Sequence, residues 1–455
     1  MGLVPLSFAS AAWTVLGGEP AELPVDVEVR PGLHLPATLD VAGLVRDGVA
    51  VGVAAVHVVM AARGLRAAPP RVVLDGARLT TSVQSERHFR WDGEAQSAWA
   101  PLSGFWEAAD GWVRTHGNYP HHAERLRSLL GLGADAGADD VAAAVRTRSA
   151  LDLEEEAAAI GAVLVAVRPA EAWRAHPQAV AAAQQRLLRV REVGAAPARP
   201  WGQGRLPLSG VRVLDLTRVI AGPIATRDLA FAGAQVLRVD GPGLPEIEWQ
   251  HLDSGQGKRS TLLDLSSRAG RAALEELLAQ ADVVVTGYRP ASLDRHGLGA
   301  ETLGERHPGL VTASVSAWGT TGPWGERRGF DSIVQAASGI ALAESPRPGV
   351  PGALPAQALD HTAGHLLAAG VALALVRQRR EGGSRHVETS LARVAQELLA
   401  APAVTPPDDA RPPTLQTGRS GAGETTVALP VLTYDGAPDG YPALSRPWGR
   451  DDPHW

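Results

Sequence analysis

Asp360 stands in the stretch ALDHTAG, 358–364, ahead of a long apolar run that ends in arginines. A near copy, TLDVAG at 38–43, sets Asp40 in the same way, and each step follows a proline, Pro355 or Pro36. An aspartate before a helix of small residues reads as an N-cap. A carboxylate held against an activated acyl group can instead act as a covalent nucleophile. For Asp360 the residue types leave both readings open. Asp40 has only apolar and small residues around it and reads as a cap. The chain has no cysteine, so covalent chemistry, disulfides and thiolate metal sites based on sulfur are excluded together.

A second set of side chains points to a polyanionic ligand. Arg238 follows an apolar run, Lys258 and Arg259 lie in GQGKRS, and Tyr288, Arg289 and Arg295 lie in TGYRPASLDRHG. Basic groups beside an aromatic ring suit a nucleotide with several phosphates and a base to stack. The loop after VRVLDL is TRVIAGP rather than GxGxxG, which argues against a standard NAD site. Ala221 and Gly222 would still let a backbone approach a phosphate at a helix start.

These side chains need a scaffold, and the second half of the chain supplies one. Apolar runs at 211–216, 235–240, 260–265, 282–287 and 310–319 read as strands. Helices over 221–232 and 267–280, and a short one near 291–296, separate them. That alternation predicts an α/β fold with a doubly wound parallel sheet covered on both faces. Ligands of such sheets bind at the carboxyl ends of the strands, where Arg238, Lys258, Arg259, Arg289 and Arg295 are expected.

The first half is less regular. It predicts helices over 41–63, 121–131, 142–160 and 170–192, with Glu154, Glu155 and Glu156 on a solvated face, and a strand over 162–167. Trp91, Trp99, Trp106 and Trp112 are expected in a core or an interface. The Pro- and Gly-rich stretch 195–210 divides the chain into segments 1–200 and 206–400, and 401–455 reads as an irregular extension. The net charge is −6 with both signs interspersed, which gives no nucleic-acid face. The first residues lack the basic group of a signal peptide, and Arg or Asp interrupts each apolar run short of a membrane span. A cytoplasmic protein with no membrane partner is expected.

Taken in order, LPLSGVRVLDLTRVIAGP, GAQVLRVD, GKRSTLLDLSS, ADVVVTGYRPASLDRHGLG, SAWGTTGPWGERRGFDSIVQAASG, LDHTAGHLLAAGVALALVRQRREGG and VETSLA resemble the class III CoA-transferases. That family includes formyl-CoA and carnitine CoA-transferases and the α-methylacyl-CoA racemases. The resemblance implies a Rossmann-like CoA-binding domain with a smaller α+β domain. It gives Asp360 the role of acyl acceptor, and Val219, Arg238, Tyr288, Arg295 and Arg328 roles as CoA contacts. Lys258 is placed near the nucleotide. Coenzyme A and its thioesters are implied as substrates, with no permanently bound cofactor and no metal. A carboxylic acid acceptor and an interlaced homodimer are the implied partners. Similar racemases carry a histidine where this chain has Phe330 before Asp331, which favours acyl transfer. Ile220 stands where formyl-CoA transferase has a glutamine, so that specificity is not implied. The N-terminal half, from LHLPATLDVAG to HGNYPHHAERLRSLLGL, more loosely resembles later parts of the same fold. The order then resembles a circular permutation with overlap, and SGAGE at 420–424 is the stand-in for a glycine-rich loop.

Overall fold

A computed structural model describes residues 7–16, 27–65, 72–402 and 409–455. The chain opens with α1 (Ser7–Val15), β1 (Val27–Arg30), α2 (Val41–Ala62), β2 (Val72–Asp75), α3 (Gly76–Val83) and α4 (Ser85–His88). β1 and β2 pair in parallel, with α2 as the crossover. Short strands β3 (Arg90–Trp91) and β4 (Glu94–Ala95) follow. A small α+β lobe comes next, built from β5 (Phe105–Ala108), β6 (Gly111–Thr115), α5 (Pro120–Leu130), α6 (Ala138–Arg146), α7 (Ala150–Ile160) and β7 (Leu164–Ala166). Its three-stranded antiparallel sheet shares a separate core with Leu126, Val141, Val145 and Leu153.

Two expectations about this half are corrected. The helix read over 142–160 is two helices, because Asp110 accepts the Ala150 amide at 2.8 Å and restarts the chain there. Glu155 and Glu156 are exposed as expected, but Glu154 is buried, held by Arg168 at 2.5 Å and by the Ala166 amide at 2.9 Å. The helix read over 170–192 breaks into α8 (Ala170–Ala175) and α9 (Pro177–Ala183). Pro177 forces His176 into extended backbone, φ −72° and ψ 136°. The remainder becomes β8 (Arg189–Gly194). Of the four tryptophans, Trp91 packs on the main core and Trp106 on the small lobe, while Trp99 is 39% exposed.

The second half is the doubly wound domain. It runs β9 (Arg212–Leu216), α10 (Ala221–Phe231), β10 (Gln235–Asp240), α11 (Glu248–Ser254), β11 (Lys258–Leu262), α12 (Arg268–Leu278) and β12 (Val283–Thr286). It continues through α13 (Ala300–Arg306), β13 (Val311–Ser316), α14 (Asp331–Ser338), α15 (Ile340–Ala343), α16 (Ala358–Glu381), β14 (Ser384–Ser390) and α17 (Leu391–Ala400). Residues 294–296 form a single 3-10 turn rather than a helix. The sheet order is β11-β10-β9-β12-β13-β14-β8; six strands are parallel and β8 joins β14 antiparallel. Valines 213, 283, 285 and 311 face one core with α10 and α16, while Leu214, Leu237 and Val284 face another with α12 and α13. Alternation at period two therefore buries both faces. The order reverses between β9 and β12, which makes their carboxyl ends the switch-point crevice.

Against expectation, α2 and α16 are long and apolar enough to cross a membrane by composition. Both are core helices here: α16 is buried along most of its length and packs on α2 and α10. The tail is also more regular than expected. β15 (Leu415–Ser420) and β16 (Gly423–Ala428) form a hairpin that pairs with β3 and β4. SGAGE is its turn, pinned by Trp91 Nε1 donating to the Ala422 carbonyl at 2.8 Å.

Candidate active site at the start of α16

The two LD steps diverge in the structure. Asp40 is the N-cap of α2, and its carboxylate accepts the Gly43 amide at 2.8 Å. α16 begins two residues before Asp360, at Ala358, behind Gln357, so Asp360 lies inside the first turn and does not cap it. The cap comes from elsewhere. Asp331, at the start of α14, accepts the Asp360 amide at 2.9 Å and the Leu359 amide as well. Asp331 is steadied in turn by Gln335 Nε2 at 2.6 Å. The Asp360 carboxylate is left with no hydrogen bond among the described residues.

Burial then sets the charge of this pair. It pushes the Asp331 carboxyl up to about 6, against three hydrogen bonds that lower it. Asp360 is raised well above the carboxylate range, first by burial and then by the Asp331 charge. Around them lie buried polar atoms without partners among the described residues: Ser332 Oγ, His361 Nδ1 and Thr362 Oγ1. Glu86 of α4 adds a third carboxyl, raised to about 7 by burial, with Asp253 and Asp331 contributing.

Close helix packing brings Asp360 to the crevice. One turn after Asp360, Gly364 leaves no room for a Cβ, which would lie 2.6 Å from the Ala221 carbonyl at the start of α10. The turn leading into α10 contains Val219 at φ 72°, an outlier for a β-branched residue. Val219 thus lies in the loop after β9, two residues before the α10 start that Gly364 meets. Across the crevice, after β12, stand Tyr288 and Arg289, which line a cavity of about 370 Å³. Burial pushes the Tyr288 phenol up to about 12, and Asp240 adds to it. Arg289 also lines a second cavity of about 390 Å³ together with Arg328. Arg295 is exposed on the following turn, its Nε 3.1 Å from His296.

Arg238 and Lys258 are not at the surface. Arg238 is 2% exposed and bonded to Asp240 at 2.7 Å, Glu246 at 2.5 Å and His251 of α11 at 3.2 Å. Burial would lower the Glu246 carboxyl's acidity, but Arg238 and Arg218 outweigh it and hold its pKa at about 2. Lys258 opens β11 and bonds inward to Asp215 at 3.2 Å and the Pro223 carbonyl at 2.7 Å. Burial brings its ammonium down to about 8 despite Asp215. These two cations build the floor of the crevice and do not project into it. Arg259 is turned to the tail, donating to the His454 carbonyl.

The N-terminal half contributes a wall that sequence reasoning missed. His116 stacks on Phe330 at 3.8 Å between ring centroids, with planes 8° apart. Burial, with Arg114 adding to it, holds that imidazole neutral, with a pKa of about 3. Tyr119 donates to Glu246 at 2.5 Å and lies under the Arg218 guanidinium at 5.0 Å. The signal for this wall was the segment HGNYPHH, but nothing local says which loop it meets.

Residues 208–445 match the family model of CoA-transferase family III, and the chain belongs to that family. It is 34% identical over 214 residues to a probable fatty acyl-CoA transferase of Mycobacterium tuberculosis, covering 44% of this chain and 54% of the relative. Human succinyl-CoA:glutarate CoA-transferase is 33% identical over 198 residues, covering 41% of this chain and 45% of that protein. Acetyl-CoA:oxalate CoA-transferase of Acetobacter aceti is 34% identical over 207 residues, covering 43% and 52%. A crystal structure of the mycobacterial protein aligns at 36% identity with a TM-score of 0.40, covering 43% of this chain and 58% of that one. A CaiB/BaiF family protein from Brucella suis aligns at 26% identity, TM-score 0.40, covering 48% and 65%. The chain thus spans about half the length of the curated relatives it matches.

Proposed function

We propose that the protein moves CoA between carboxylic acids, with Asp360 as the acyl acceptor. The observation that carries this reading is the exchange of roles at the start of α16: Asp331 does the capping, so the Asp360 carboxylate is unspent. In the first step Asp360 attacks the donor thioester carbonyl; a C–O bond forms, the C–S bond breaks and CoA leaves as thiolate, giving a mixed anhydride. The thiolate then attacks the Asp360 carbonyl, releases the donor acid as carboxylate and leaves CoA on Asp360 as a thioester. The acceptor carboxylate repeats these two steps in reverse and departs as its CoA thioester. The neighbouring Ser332 and Thr362 hydroxyls, buried without partners among the described residues, are suited to donate to the oxyanion of each tetrahedral intermediate. Attack needs the ionised form of Asp360, and its raised pKa gives the rate an acidic limb.

Val219, Tyr288, Arg289, Arg295 and Arg328 are the proposed CoA contacts, with Arg238 and Lys258 positioning the crevice from beneath. The test is mass spectrometry of the intact protein incubated with a panel of acyl-CoA thioesters. An acyl or CoA adduct on Asp360, absent from Asp360→Asn, is expected. Turnover without any adduct at Asp360 would overturn the assignment.

A further inference from the structure

A carboxyl of the N-terminal half is carried to the start of α16 and left without a structural duty. The short helix α4 is fastened to the segment that leads into α16. Gln84 Nε2 donates to the Pro355 carbonyl at 3.1 Å, and the Arg87 guanidinium donates to the same oxygen. One residue earlier, the Leu354 amide donates at 2.9 Å to Gln335, the side chain that also steadies Asp331 at 2.6 Å. On another side α4 meets α11, where Ser85 donates to the Asp253 carboxylate at 2.6 Å. Glu86 stands between Ser85 and Arg87, and so between the two anchors. Its Oε2 is sealed from solvent and has no hydrogen-bond partner among the described residues. The charges it feels are Asp253 of α11, Arg87 of its own turn and Asp331 of α14. Other charged side chains on the elements around α4 are engaged elsewhere: Arg78 of α3 donates to the Pro430 carbonyl at 3.4 Å, and Glu424 of β16 pairs with Arg419 at 3.6 Å.

A carboxyl that serves only the fold is bonded when it is enclosed, as Asp253 is by Ser85 and Asp331 by Gln335. Neighbouring buried acids cannot all ionise, so some keep their protons. Burial, with Asp253 and Asp331 adding to it, raises the Glu86 carboxyl to about 7. Below that pH its O–H is a donor that lacks an acceptor. The incoming acid has the opposite need. It must approach Asp360 as a carboxylate, past the negative charge of Asp331, which repels it. We propose that Glu86 receives the acceptor acid, its carboxyl O–H donating to a carboxylate oxygen of that acid. The proton stays on Glu86, and no covalent bond to it forms or breaks. The inference rests on the CoA-transfer reading above, and it gives the N-terminal half a part in holding the acceptor.

The test is exchange of isotopically labelled succinate into succinyl-CoA by the full chain. Where another thioester labels Asp360 instead, that thioester is used with its own labelled acid. Glu86→Ala should raise the KM for the acid about tenfold, the loss of one charge-assisted contact, while the KM for the thioester and adduct formation at Asp360 stay unchanged. In wild type the acid KM should rise about tenfold or more from about pH 6 to about pH 8.5 as Glu86 ionises; Glu86→Gln, which keeps a donor and cannot ionise, should stay nearly flat. An acid KM that Glu86→Ala leaves unchanged overturns the proposal, and so does a Glu86→Gln profile that rises like wild type. Loss of the Asp360 adduct in folded Glu86→Ala would place Glu86 in the donor step and overturn it too. Solvent deuterium that enters the α-carbon with wild type but not with Glu86→Gln would make Glu86 a proton-transfer base, a third contrary outcome. A wild-type protein that no thioester labels defeats the transfer reading itself. If Glu86→Ala does not fold, the isosteric Glu86→Gln and its pH profile decide.

Discussion

The two long apolar helices of this protein carry nearly the same opening sequence and use it differently. Each lies between parallel strands and is followed by a short helix: β1–α2–β2–α3 in the first half, and β13, α16, β14 and α17 in the second. In α2 the aspartate turns back on its own helix, and Gly43 makes room, since a Cβ there would press on the Asp40 carboxylate. In α16 the glycine serves the neighbouring helix instead, letting α10 approach. A one-residue longer step and a cap supplied by Asp331 release Asp360 from local duty. The proposed catalytic carboxylate is thus distinguished from the capping one by what satisfies the helix end, not by its own flanking residues.

The harshest way to break the comparison is to remove one member. A fragment beginning near Arg205 lacks α2, whose Gly48 meets Thr362 of α16 so closely that a Cβ would lie 3.1 Å from it. Exposing that face should leave the fragment insoluble or molten, judged by near-UV circular dichroism and melting. A soluble fragment that melts cooperatively and binds CoA would make α2 dispensable.

Next comes the proposed nucleophile. Asp360→Asn should cut CoA transfer by about a thousandfold or more, whereas Asp40→Asn keeps most of it. The same substitution should not simply be neutral for stability, because Asp360 is not a cap. Asp331 and Asp360 hold protons more tightly folded than unfolded. Their contribution is complete below about pH 4 and is lost as pH rises through about 6 for Asp331. Relative to Asp360→Asn, wild type should therefore lose melting temperature between pH 5 and pH 8, by on the order of several degrees, because buried neutral imidazoles such as His116 stabilise both proteins alike as pH rises. The same pH dependence in wild type and Asp360→Asn contradicts the buried carboxyl pair.

Smaller effects sharpen the contrast. Gly364→Ala crowds α10 and should cost about 1–3 kcal/mol in urea unfolding. Asp40→Ala removes a cap and should cost about 1 kcal/mol, and Asp40→Asn only a few tenths. If Asp40→Ala instead abolishes transfer with the fold intact, the division of labour between the helices is wrong.

Much of the doubly wound sheet was legible, because apolar runs such as DVVVTG at 282–287 are bounded by turns and separated by helices. What escaped depended on partners distant in sequence. The cap from Asp331 lies 29 residues before Asp360, so local reading placed the helix start too late. Arg238 looked available for phosphate, yet Asp240, two residues on in the same strand, shares its face and neutralises it. That alternation is visible in the sequence itself. Glu154 and the pairing of β8 with β14 are set by tertiary contacts alone. Phe330 was legible as the place where a racemase base is replaced; His116 stacked on it was not, since the two come from opposite halves.

The pairing of α2 with α16 also imposes a timetable. α2 leaves the ribosome roughly 300 residues ahead of its partner, so at about 5–20 residues per second its apolar flank waits on the order of 15–60 s for cover. During that interval it offers a bilayer-length greasy helix to any membrane-insertion or holdase machinery it meets. Nascent chains stalled just before Ala358 should therefore be protease-sensitive across 41–62, and chains extended past Ser390 should be protected.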